Sequence, residues 1–196
     1  MQVTEQRSYS PEEYLALEEA ADAKSEYIDG QIFPMAGGST NHNQIALNFS
    51  TELNFAFKKL DYRVFMSDVR LWIPQKRIYT YPDVMVLAVP EYERDRTDTI
   101  TNAKIIVQVL SGSTKRYDQG GKFEAYRTIS TFKEYLLVDQ TKIYVEQYSK
   151  TANKRWSLRE YDVEDTAITL ASVEFQISLT DVYNKVKFER VDSEGE

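Results

Sequence analysis

The chain has 196 residues, 42% of them hydrophobic and 28% charged, enough for one domain with a full core and short for two. Its formal net charge is −7, which argues mildly against a nucleic-acid partner, although clustering of Lys and Arg decides this more than the sum does. One histidine and no cysteine exclude disulfides, thiolate or multi-histidine zinc sites and a Cys–His nucleophile pair.

Any metal held by such a chain would be a hard cation bound through oxygen. A Ser-His-Asp triad would have to use His42, and no Gly-x-Ser-x-Gly surrounds a serine. No stretch approaches the roughly 18 consecutive apolar residues of a membrane span. The opening "MQVTEQRSYSPEEY" lacks the pattern of a signal peptide. A cytoplasmic protein without a membrane partner is expected.

In chain order, "SPEEYLALEEA" opens a helix, with Ser10 as cap, Pro11 in the first turn and Glu12 and Glu13 at the positive dipole end. "SEYIDGQIFPMA" reads as a hairpin turning at Asp29-Gly30. Ile45, Phe49, Leu53, Ala56 and Leu60 recur at helical spacing and predict one long amphipathic helix. "YRVFMSDVRLWIP" and "YTYPDVMVLAVP" read as two strands around a polar turn, and "EYERDRTDTITN" as a charged loop.

"AKIIVQVL" has the continuous apolar pattern of a central strand buried on both faces. A helix over 118–129 follows, with Lys122, Tyr126 and Ile129 on one face. "EYLLVD", "KIYVEQYS", "RWSLREYD", "AITLAS" and "FQISL" predict strands, "TDVYNKV" a closing helix, and "VDSEGE" a frayed tail. The expected fold class is mixed α/β in a single domain over 1–190, with one compact sheet.

Gln108 is the anomaly of the central strand, because a buried amide costs desolvation unless something binds it. Asp83 starts the strand "PDVMVL" and Lys122 sits one turn into the following helix. Oxygen ligands on adjacent strands and a nearby lysine are the parts that metal-dependent phosphodiester cleavage needs. Residue types alone support blander roles. Asp83 then reads as a turn carboxylate, Gln108 as an amide paired to a loop backbone and Lys122 as a solvated helix lysine. Asp118 reads as the cap of the second helix, and the tyrosines of "YTYPD" as sheet packing. Lys115 and Arg116 are the best local candidates for phosphate contact, although so small a pair also reads as a solvated loop.

"YSPEEYLALEEA", "YIDGQIFPMAG", His42, "YPDVMVL", "IIVQVLSGST", "YDQGGKFEAY" and "FKEYLLVD" stand in an order that resembles the Uma family of "putative restriction endonucleases", within the PD-(D/E)XK nuclease superfamily. The likeness spans roughly residues 9–186. It implies a restriction-endonuclease-like core, a mixed central sheet flanked by helices, with an extra N-terminal hairpin and C-terminal strands.

It further implies an Mg²⁺ (or Mn²⁺) cofactor held by Asp83 and Gln108, Lys122 as the catalytic lysine, DNA as partner and a homodimer. His42, Glu26 and Asp68 are further candidates for lining the site. Two departures stand out: Gln108 replaces the family's glutamate, and "SGST" replaces "SPST". An amide lends a dipole where a carboxylate lends a charge, so cation affinity should fall. Two functions follow, a weakened endonuclease or a catalytically silent member kept for binding or assembly.

Overall fold

A computed structural model describes residues 7–112 and 115–188. Ser113, Thr114 and the acidic tail lie outside the described residues. Helix α1 (Pro11–Glu19) starts at a reciprocal cap: Ser10 Oγ accepts from the Glu13 amide, and the Glu13 carboxylate accepts from the Ser10 amide. Strands β1 (Ser25–Ile28) and β2 (Gln31–Pro34) form the expected hairpin. Both turn residues have positive φ, Asp29 at 41° and Gly30 at 96°, which suits a tight two-residue turn. Helix α2 (Thr40–Ala56) is capped by Ser39 and buries Ile45, Phe49 and Leu53. It ends earlier than its periodicity predicts. Ala56 and Leu60 are exposed, and Phe57 turns into the core instead.

Each of the two strands expected between 62 and 87 is divided. The first becomes β3 (Arg63–Met66) and β4 (Arg70–Ile73), the second β5 (Ile78–Thr80) and β6 (Val84–Leu87). The break after Met66 is a turn in which the Val69 amide donates to the Met66 carbonyl. The charged loop contains a short strand, β7 (Thr99–Ile100). Strands β8 (Ile105–Leu110) and β9 (Glu134–Asp139) follow, then β10 (Val145–Ala152), β11 (Arg155–Tyr161), β12 (Ala167–Thr169) and β13 (Gln176–Ser178).

The single sheet of the sequence reading is therefore three among the described residues. A five-stranded sheet runs β2-β1-β5-β4-β7, a six-stranded sheet β11-β10-β9-β8-β6-β3, and β12 pairs with β13. The halves of each divided strand pair in different sheets, so the chain crosses between them at residues 67–69 and again at 81–83.

Strand β8 is wedged between β9, parallel, and β6, antiparallel. Its alternation feeds two cores. Ile105, Val107 and Val109 pack with Val84, Val86 and the buried face of α2, while Ile106 and Leu110 pack with Met85, Tyr135, Tyr126 and the second sheet's Leu71 and Ile73. The helix expected over 118–129 begins earlier, as α3 (Lys115–Tyr117), and continues as a π-helical turn (Asp118–Lys122) and α4 (Phe123–Tyr126). The closing helix is short, α5 (Leu179–Val182).

Candidate functional site

Val84 pairs with Val107 and Met85 with Ile106, so continuing that register by one residue sets Asp83 opposite Gln108. Both side chains then point to the face that packs on the helix carrying Lys122, because strand side chains alternate. The contacts agree. Gln108 Nε2 donates to Asp83 Oδ2 at 2.7 Å, and the Val109 amide donates to the same oxygen at 2.7 Å. Asp83 and Gln108 are both buried, and among the described residues Gln108 Oε1 has no donor.

His42 reaches this pair from the first turn of α2. Its Nε2 lies 3.4 Å from Asp83 Oδ2. Gly38 allows the ring to sit there, since a Cβ at that position would meet His42 Nδ1 at 3.0 Å. The bond to Asp83 raises the imidazole's pKa above its usual 6.5, against the opposing pull of burial, with the charges of Asp83 and Asp118 adding.

Lys122 is almost wholly enclosed. Its ammonium lies 3.1 Å from Glu26 Oε1 and 3.2 Å from Asp118 Oδ1. Burial pulls its pKa down, yet Tyr126, Glu26 and Asp118 outweigh that and hold it above the normal lysine value. Glu26 comes from β1 and accepts from Thr80 Oγ1 at the end of β5 and from the Tyr81 amide on the crossing segment that delivers Asp83. Asp118 is fully buried inside the helix, so the cap expected from its residue type is replaced by an ion pair with Lys122. The π-turn gives both residues an inward aim, and such turns often mark functional sites.

Gly121 is part of this geometry. A Cβ there would stand 2.6 Å from Tyr117 Cε2, so only glycine lets the Tyr117 ring lie against the turn. Tyr135 of β9 joins the two groups of residues. Its hydroxyl donates to the Asp118 carbonyl at 3.0 Å. Burial pushes its pKa well up, with further contributions from Tyr126, Asp118, Asp83 and Glu26.

The structure thus brings Asp83, Gln108, His42, Lys122 and Glu26 to one region. Asp68 is not among them: it is exposed on the turn between β3 and β4 and pairs with Lys24. Lys115, expected as a phosphate contact, lies 3.4 Å from Asp139 Oδ2. Among the described residues no three His, Asp or Glu side chains are arranged to hold a metal ion. Among the described residues Glu26 and Asp118 both pair with Lys122, while Asp83 pairs with His42. A depression of about 700 Å³ between the end of α2 and β3 lies elsewhere, and Phe55, Leu60 and Arg63 line it.

A family model, Uma2, described as "Putative restriction endonuclease", matches residues 11–180. The chain belongs to the Uma2 family. Two proteins of Synechocystis sp., both described as uncharacterized, are similar to it. One is 43% identical over 157 residues, covering 80% of this chain and 89% of the relative. The other is 37% identical over 179 residues, covering 91% and 93%. A crystal structure from Anabaena variabilis, titled a "putative nuclease" of DUF820, superposes with a TM-score of 0.73 at 18% identity, over 89% of this chain and 97% of that one. That likeness shows a shared mixed α/β fold.

In this Uma2 chain the sequence reading named Asp83, Gln108 and Lys122 as candidates but missed the ion pair that Lys122 makes with Asp118. Its spacing of four residues from Lys122 was the available signal. Among the described residues no helix is long and apolar enough to cross a membrane.

Proposed function

We propose that this Uma2 protein is a divalent-cation-dependent DNA endonuclease whose cation affinity is weakened by Gln108. The observation that carries the reading is the buried Gln108 Oε1, which has no donor among the described residues, beside the buried carboxylate of Asp83. A buried acceptor without a donor is costly, and a hard divalent ion beside it would relieve that cost.

Asp83 and Gln108 are the residues that would hold Mg²⁺ or Mn²⁺. A site with one carboxylate and one amide suits Mg²⁺, which keeps several waters and relies on substrate phosphates for its remaining ligands. Such an ion supplies Lewis-acid stabilisation of phosphoryl oxygens and a more acidic water.

The chain's own residues divide the remaining work. Lys122 stays protonated, so it acts as a fixed positive charge and donor toward the phosphate or the attacking water rather than as a base. Glu26 and Asp118 fix its position. His42, held by Asp83, presents a proton-bearing ring at the edge of the same region. A duplex needs one cut per strand, and two copies paired about a two-fold axis would provide them. Sedimentation of the purified protein tests that pairing.

One observation favours a second reading, a silent binding module. The Gln108 and Val109 amides already donate to Asp83 Oδ2, so that oxygen is hydrogen-bonded without an ion. Plasmid hydrolysis in Mg²⁺ or Mn²⁺ separates the two. The endonuclease reading expects slow cleavage by the native chain, loss in Asp83→Ala and faster cleavage in Gln108→Glu. Equal activity in Asp83→Ala, or inactivity of both native protein and Gln108→Glu, overturns it.

A further inference from the structure

At the end of the six-stranded sheet remote from Asp83, three lysines stand side by side. The Lys133 amide donates to the Lys104 carbonyl at 2.8 Å, and the Lys150 amide donates to the Lys133 carbonyl at 2.8 Å. Lys104 precedes β8, Lys133 precedes β9 and Lys150 lies in β10, so the three are neighbours across successive strands, which are spaced about 4.8 Å apart. Among the described residues none of the three forms an ion pair with a carboxylate. Lys104 Nζ instead donates to the Tyr62 hydroxyl at 2.7 Å and lies over that ring.

The lysines rim a depression of about 240 Å³ that also holds Ser149, Ser172 and Glu134. The Glu134 carboxylate is fully buried and already accepts from the Ala171 and Ser172 amides, Ser172 Oγ, Ser149 Oγ and Gln147 Nε2. Its oxygens are committed to those donors, and among the described residues it makes no ion pair with the three lysines. Lys150 also borders an adjoining depression of about 380 Å³ with Arg127 and Lys154, where the one carboxylate, Glu124, is paired to Lys76.

Like charges placed opposite one another across strands repel, and a concave surface lined by one sign of charge concentrates counter-ions. In a chain of net charge −7 such a rank offers an anion several cationic donors at once. We propose that Lys104, Lys133 and Lys150 form a phosphate-binding site, distinct from the Asp83 region and independent of the nuclease reading. A nucleic-acid backbone and free inorganic phosphate offer the same oxygens to it. Lys104 and Gln108 are four residues apart along one strand, about 13 Å, close enough for one duplex to meet both.

The test compares the native chain with Lys104→Gln/Lys133→Gln/Lys150→Gln in EDTA, where no cleavage complicates binding. Fluorescence anisotropy of a labelled DNA duplex is followed against salt, and thermal melts are followed against inorganic phosphate. If backbone phosphates are the ligand, the slope of log K against log salt falls by about 0.9 per lost contact, or about 2.7 for three. If free phosphate is the ligand, phosphate raises the melting temperature of the native chain and not of the variant, while DNA binding is unchanged. Identical DNA salt slopes together with identical phosphate responses overturn the proposal. Lys133→Gln alone, at an exposed residue, guards against misfolding of the triple variant and should give about one third of the slope change.

Discussion

Replacing Gln108 by glutamate probes the site without relying on catalysis. In the native chain the amide donates to Asp83 Oδ2 at 2.7 Å. Gln108→Glu removes that donor, and a hydrogen bond to a charged group is worth about 1.5–3 kcal/mol. It also sets two carboxylates face to face, a repulsion of about 4 kcal/mol at 4 Å for an effective dielectric near 20. Uptake of a proton limits the second cost, so a net destabilisation of about 3–5 kcal/mol is expected in EDTA at neutral pH. For a domain of this size that lowers the melting temperature by roughly 6–20 °C. The introduced carboxyl has a raised pKa in the folded state, so the variant is least affected at acid pH and loses stability as pH rises through that value. Millimolar Mg²⁺ should restore most of the loss. Thermal melts in EDTA and in Mg²⁺ provide the readout, and a variant as stable as the native chain in EDTA, or one indifferent to Mg²⁺, would refute the reasoning.

Three further outcomes are expected. Lys122→Met leaves Glu26 and Asp118 enclosed without their cation and should cost about 3–5 kcal/mol in urea unfolding. Gly121→Ala drives a Cβ to 2.6 Å from the Tyr117 ring and should cost about 1–3 kcal/mol, whereas Gly120→Ala meets nothing within 4 Å and should stabilise the turn by about 0.5–1 kcal/mol. His42 is the chain's single histidine, so its NMR titration is unambiguous. In EDTA its pKa should lie above 6.5 and fall in Asp83→Asn, and the stability it contributes is present below 6.5 and lost as pH rises through the folded value.

Much of the site's scaffold was readable from residues alone because its signals are local. The apolar run around Gln108 and the polar loop after it mark β8 and its exit, and "EYLLVD" matches β9 residue for residue. The hairpin at Asp29-Gly30 was equally plain. What escaped depends on long-range partners. "YRVFMSDVRLWIP" has a continuous strand composition, and only the separate sheets that receive its halves reveal the break at Ser67-Asp68. Leu60 fits the helical period of α2 yet falls beyond its end, where Phe57 takes the core position. Asp118 has the residue type of a cap, but the helix begins three residues earlier at Lys115 and buries it. Glu26 meets Thr80 and Lys122 across large sequence separations that no local pattern encodes.

The central claim is that Asp83 and Gln108 hold a divalent cation. Calorimetric titration of Mn²⁺ into the native chain and into Asp83→Asn tests it most directly. Saturable binding in the millimolar range by the native chain, absent from Asp83→Asn, is the predicted result. No binding by the native chain, or binding that survives the substitution, would contradict it.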